Sequence, residues 1–178
     1  EKTQLVRNLV SEGLLESGKS YDAKDLLSLL SYIFWFMRLD EVSLLQVVKR
    51  LKLSQEFAKE ISAANRLFRG HHELKEYTPS QFTNNLDEFP LIAICSVQQA
   101  VSDPQLKQFF QNYMSHWRFI YPLADGYTLK NLGVQPGPEY KRILGRLRDA
   151  WLDGEVRNLD EENALLQSLL ASMPSSNI

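Results

Sequence analysis

The sequence predicts an all-α protein, an irregular multi-helix bundle of about nine or ten helices. Three observations carry this prediction. Apolar residues recur at intervals of three and four along most of the chain. No run alternates apolar and polar residues as a half-buried strand would. Cap-and-proline pairs punctuate the chain at Thr78-Pro79 and Asp103-Pro104. No internal repeat of fixed period is present, which argues against a helical solenoid.

The first helix, from Glu1 to about Glu16, places Leu5, Val6, Leu9, Val10 and Leu14 on one side and ends near Gly18. Asp22, with Asp25 in a weak capping-box arrangement, opens a second over about Ala23 to Leu39. It is apolar on nearly all sides from Leu26 to Met37, the pattern of a central helix packed on several neighbours. Asp40 caps the third, with Val42, Leu45, Val48 and Leu51 expected inside and Lys49, Arg50 and Lys52 outside. Ser54 caps the fourth, whose buried stripe is Phe57, Ile61, Ala64 and Phe68. Thr78-Pro79 opens a short helix with Phe82 and Leu86 inside, and another covers about Glu88 to Val101, with Pro90 in its first turn. After Asp103-Pro104 a long helix is expected to face Leu106, Phe109, Phe110, Tyr113, Trp117 and Ile120 inward and to stop at Pro122. A short helix follows over Tyr127 to Leu132. Pro138 starts one that runs to about Leu152 and is stopped by Gly154. Asp160 is expected to cap the last, to about Ser172, before a frayed end from Met173.

At 178 residues the chain is one domain or two small helical lobes, and 44% hydrophobic with 24% charged residues is globular composition. A net charge of −2 does not advertise a nucleic-acid binder, so an RNA site must come from local segregation of charge. The single cysteine, Cys95, lies in an apolar run and reads as core; with no signal peptide and no span long enough for a membrane, it fits a cytoplasmic location.

The stretch from Asp125 to Val156 carries the most information. Gly133 can end a helix in a left-handed conformation, and Pro136 and Pro138 fix the backbone on either side of Gly137. Tyr140, Ile143, Leu144, Leu147, Ala150 and Trp151 then share one helix face. The ordered set Gly126, Leu129, Leu132-Gly133-Val134, Pro136-Gly137-Pro138, Ile143-Leu144 and Leu152-Asp153-Gly154-Glu155 resembles the C-terminal tail signature of the bacterial class II tRNA nucleotidyltransferase / poly(A) polymerase family. Thr78 to Pro122 resembles that family's helical body more weakly. The resemblance implies residues 1–122 as body, with a sub-boundary near residue 77, and 123–178 as tail. It implies a catalytic head upstream in the same polypeptide. The start at Glu1 rather than methionine adds to the expectation of a fragment.

Catalytic and metal-ligating residues are expected to be absent. Two-metal nucleotidyl transfer needs clustered carboxylates, and the paired aspartates of the family's head have no counterpart here, nor does its templating motif. The resemblance therefore places Mg2+ and ATP or CTP in the missing head only. Asp149, Asp153 and Glu155 read as a solvated acidic helix end, and Glu161 and Glu162 as first-turn acids that suit the helix dipole. Adjacent His71 and His72 lack the spacing of a helical metal pair.

Binding remains. Lys130, Lys141, Arg142, Arg146 and Arg148 concentrate basic charge around the signature helix, opposed within Lys130 to Arg148 by Glu139 alone. Lys141, Arg142 and Arg146 lie towards its N-terminal half, where backbone N–H groups also favour an anion. Arg66 and Arg69, with His71 and His72, form a weaker cluster, and Lys49, Arg50 and Lys52 another. In the family, body and tail hold the tRNA acceptor and T-arm, so the expected role is RNA-positioning in tRNA 3′-end processing. The competing expectation is an all-helical protein-interaction or dimerisation scaffold, for which the first helix offers an apolar face.

Overall fold

A computed structural model describes residues 23–172. The expected helix over residues 1–16 and the frayed end from Met173 lie outside them. Among the described residues the protein is all-helical, with nine α-helices, two 3-10 turns and no strand.

Packing divides the chain into two units, one holding residues 23–76 and 85–111, the other 77–84 and 112–172. The chain passes between them after Glu76 and again within α4 (Pro79–Leu86) and α6 (Pro104–Ser115).

The first unit is built on α1 (Ala23–Phe36), α3 (Gln55–Gly70) and α5 (Leu91–Ala100), which pack on one another. With α2 (Glu41–Leu51) they enclose Leu29, Ile33, Met37, Leu44, Ile61, Ala63, Ala64 and Ala93. Cys95 is buried as expected. α1 stops at Phe36, short of Leu39, because Asn65 of α3 takes over the free carbonyls at its end: Nδ2 lies 3.2, 3.1 and 2.8 Å from the oxygens of Phe36, Met37 and Leu39. α1 is also less enclosed than its composition suggests, since Leu27 and Trp35 face outward.

α2 is capped by Asp40, whose carboxylate accepts from the Ser43 N–H at 3.0 Å. Its inner face is only partly the expected one: Val48 packs against the core as expected. Leu44 is buried, whereas Val42, Leu45 and Leu51 are exposed. Apolar residues cover more than half of this helix's circumference, so only packing selects the buried arc. α2 ends in a Schellman motif, with Lys52 N–H bonded to Lys49 O and Leu53 N–H to Val48 O. Lys52 takes the left-handed position usually given to glycine, φ 49°. α3 is capped by Ser54 as expected. α5 begins at Leu91, with Pro90 as its N-cap rather than inside its first turn. Asp103 caps α6 and also pairs with Lys75 at 2.5 Å.

The long helix expected after Asp103 breaks at His116, whose φ −142°, ψ −61° is not helical. A 3-10 turn, Trp117–Phe119, follows, and the chain then runs without helix from Ile120 to Asp125. Trp117 still packs inward, edge-on to Phe82 with ring centroids 6.0 Å apart.

The second unit's core is Ala124, Leu129, Val134, Ile143, Leu147, Leu166 and Leu170. It lies among α7 (Gly126–Asn131), α8 (Pro138–Leu152) and α9 (Leu159–Ala171), of which α8 and α9 pack directly together. α7 ends in a second Schellman motif: Gly133 N–H bonds Lys130 O and Val134 N–H bonds Leu129 O, with Gly133 at φ 85°. Pro138 opens α8 and Gly154, at φ 74°, follows its end, both as expected. α9 is capped by Asn158, not Asp160. The Asn158 side chain accepts from Glu161 N–H at 2.9 Å, which starts the helix at Leu159.

Candidate nucleic-acid interface

The basic residues around the signature helix divide by what they touch. Lys130, in the last turn of α7, and Lys141, in the first turn of α8, are exposed, and their ammonium groups make no hydrogen bond or ion pair among the described residues. Gly137, the N-cap residue of α8, provides no side-chain cap, and since Pro138 has no N–H and Tyr140 N–H bonds Gly137 O, Lys141 stands near a helix start with few N–H groups left to an acceptor. Arg142 Nε donates to Glu139 one turn earlier at 2.6 Å. Arg146 Nη2 donates to Glu155, beyond the Gly154 turn, at 2.5 Å. Both pairs are exposed, and exposed pairs contribute about 0–1 kcal/mol, so a phosphate could displace either carboxylate at small cost. Arg148 is different. Its Nε donates to the Ile120 carbonyl at 3.0 Å and its guanidinium lies over the Tyr121 ring, 5.4 Å from the centroid. It is a tie to the Ile120–Asp125 segment before it is a ligand for anything else.

Of the acids expected at a solvated helix end, Asp153 and Glu155 are exposed, yet Asp149 and Asp153 also hold structure, and Glu162, expected as a first-turn acid of the last helix, lies there but is buried. Asp153 accepts from Ser80 N–H at 2.8 Å and Ser80 Oγ at 2.7 Å, so it caps α4 from across the fold. Asp149 accepts from Asn84 Nδ2 at 2.8 Å. Glu162 is wholly buried. Its carboxylate accepts from the backbone N–H of Leu123 at 3.0 Å, from that of Ala124 at 2.7 Å and from the Trp151 indole N–H. Asp125 caps α7, and the Thr128 N–H and then its hydroxyl hold its carboxyl below the usual carboxylate range.

The weaker cluster lies in the first unit. Arg66 and Arg69 line a cleft of about 710 Å³ with Lys59, Glu41 and Glu88. Arg66 also covers the Phe89 ring at 4.7 Å. Two acids among three bases make this a mixed lining rather than a phosphate track. The His71 and His72 rings do not diverge, as adjacent helical positions would. His71 stands just past the end of α3, its ring 3.9 Å from that of His72 and its Nδ1 against Phe68 O. Among the described residues no group of three or more His, Cys, Asp or Glu is placed to hold a metal ion. No described helix is long and apolar enough to cross a membrane.

One feature of this surface is not marked by charge. Phe119, Tyr121, Leu123 and Tyr127 are 60, 68, 59 and 72% exposed. The intervening Ile120 and Pro122 are half-buried and Ala124 is buried, the alternation of an extended segment with one face in water. The expectation of a continuous helix to Pro122 hid this row. The sign of it is the every-second-residue spacing after Trp117.

No protein-family model matches the chain, and no curated protein or solved structure matches it.

Proposed function

We propose that the chain is an RNA-positioning region that grips the phosphate backbone of a tRNA acceptor and T-arm, as the resemblance to the class II nucleotidyltransferase tail implies. The parent enzyme would then add nucleotides to a tRNA 3′ end, with Mg2+ and ATP or CTP held by a head outside this chain. The observation that supports the reading most is the local form of the signature. Gly133 and Gly154 both take left-handed conformations and Pro138 opens α8, so the motif's special residues meet backbone requirements. The helix–turn–helix they shape leaves Lys130 and Lys141 with unpaired ammonium groups among the described residues. Such a surface contacts phosphates through point charges and reads no base. Residues 112–178 carry seven basic and eight acidic residues in total, so binding depends on this local arrangement and not on net charge.

A second reading, a protein-interaction scaffold, is favoured by a different observation. Val42 and Leu45 of α2 are exposed on the outer side of the first unit, as is Trp35 of α1. Exposed apolar clusters of this kind mark protein contacts.

The test is a salt-dependent titration of tRNA against the chain and a Lys141→Ala/Arg142→Ala/Arg146→Ala variant of unchanged helicity. The expected result is binding that weakens with salt, and a variant that binds less tightly with a log–log slope shallower by roughly one per lost phosphate contact. Binding by both with the same slope removes the signature helix from the interface. Absence of binding at low salt by this chain, and again with the catalytic head restored, rejects the RNA reading in favour of the scaffold.

A further inference from the structure

The row from Phe119 to Tyr127 is held still although its side chains face water. Ile120 O is bound by Arg148 Nε, and the N–H groups of Leu123 and Ala124 are bound by the buried Glu162 carboxylate. Trp117 anchors the start of the segment against Phe82, and Asp125 anchors its end through Thr128. A backbone fixed at both ends and in the middle presents its outward rings in one arrangement, so little entropy is lost when a partner covers them.

We propose that Phe119, Tyr121 and Tyr127 form a stacking platform for unpaired RNA bases. The inference rests on the RNA reading above and adds a contact with bases to one with phosphates. Three features favour RNA over a protein partner. Aromatic faces accept any base, with no need of hydrogen-bond readout. Guanidinium groups cover one face of two of the rings, Arg118 over Phe119 at 4.7 Å and Arg148 over Tyr121 at 5.4 Å, which puts positive charge within the row for an anionic strand and leaves the rings' remaining exposed surface to bases. The segment's nearby carboxylates are already engaged, Asp125 by Thr128 and Glu162 in the interior, so they oppose an anionic strand less than free acids would. Phe119, Tyr121 and Leu123 are alternate residues, so successive outward side chains are about 6–7 Å apart along the extended backbone, room for bases splayed out of a helix rather than stacked within one.

The experiment compares the full chain with a Phe119→Leu/Tyr121→Leu/Tyr127→Leu variant, which keeps apolar bulk but loses the π faces. Each is titrated with a blunt RNA duplex and with the same duplex carrying a short single-stranded 3′ overhang. The expected result is that wild type prefers the overhang by at least about fivefold. The leucine variant loses that preference while keeping its affinity for blunt duplex and its salt slope, because stacking releases no counterions. A Tyr121→Phe/Tyr127→Phe variant should keep the preference. The platform is overturned if wild type binds both RNAs equally, which leaves the rings to a protein contact, or if the leucine variant still prefers the overhang. Failure to bind either RNA at low salt, by this chain and again with the catalytic head restored, overturns the RNA reading, and the platform with it. A Lys130→Ala/Lys141→Ala variant separates the two contacts, since it should weaken both RNAs and flatten both slopes.

Discussion

Each packing unit contains a buried polar side chain that ties down a stretch of backbone, and the two work with opposite polarity. In the first unit Asn65 offers N–H to the carbonyls of Phe36, Met37 and Leu39. In the second Glu162 offers oxygen to the N–H groups of Leu123, Ala124 and Trp151. The difference follows from what each segment leaves unpaired. The end of a helix has spare carbonyls and needs a donor, whereas a non-helical run outside any ladder has spare N–H groups and needs an acceptor. It also sets the consequences of change. A neutral amide is buried at modest cost, but a carboxylate is tolerated inside only while its hydrogen bonds are complete.

The largest expected effects come from breaking that polarity. Asn65→Asp sets a carboxylate against three carbonyl oxygens, and Glu162→Ala strands one buried and two part-buried donors; each should cost about 3–5 kcal/mol, read as a lower urea midpoint. Glu162→Gln keeps the shape and one acceptor and should cost about 1–3 kcal/mol. If Glu162→Gln proves as damaging as Asn65→Asp, the charge rather than the polarity of the tie is what matters.

The two Schellman ends give a smaller contrast. Gly133 occupies the left-handed position after α7 and Lys52 the same position after α2. Gly133→Ala should destabilise the second unit by about 1–2 kcal/mol, while Lys52→Gly should stabilise the first by up to about 1 kcal/mol, both measured by thermal unfolding. The smallest effects concern acid. The Ser43 side chain and N–H lower the carboxyl pKa of Asp40, a hydrogen bond from Lys75 lowers that of Asp103, and Thr128 lowers that of Asp125. A lowered folded-state value stabilises above the unfolded value of about 4 and is lost as pH falls through the lowered one. Amide protection factors, corrected for the intrinsic exchange rate, should therefore fall at the starts of α2, α6 and α7 below about pH 4, and an Asp125→Asn variant should flatten that dependence at α7.

The same two regions explain what could be read in advance. α8 is legible because Pro138, Gly154 and the face Ile143, Leu147, Ala150 all agree, so local chemistry and packing point to one helix. The face of α2 is not, because Val42, Leu44, Leu45, Val47, Val48 and Leu51 wrap too much of the helix for periodicity to choose. Glu162 has the local look of a first-turn acid. Its burial is decided by N–H groups 38 and 39 residues earlier, which no local pattern encodes. At the candidate interface, Lys130 and Lys141 stand out in the sequence, and the Glu139–Arg142 pair follows from helical spacing. The Arg146–Glu155 pair does not, because it depends on the turn at Gly154. The aromatic row is hidden by the break at His116, where the φ angle departs from helix without a proline or glycine to announce it.

RNA held, as proposed, by the signature helix and the segment that Glu162 fixes should perturb a defined set of groups. The most direct measurement is amide and indole chemical-shift mapping of the chain on addition of a tRNA acceptor hairpin with a single-stranded 3′ end. Shifts are expected between Phe119 and Arg148 and at the Trp151 indole N–H, which shares the Glu162 carboxylate with Leu123 and Ala124, with little change in α1, α2 and α3. Shifts confined to α2, α3 and the cleft lined by Arg66 and Arg69 would contradict the proposal.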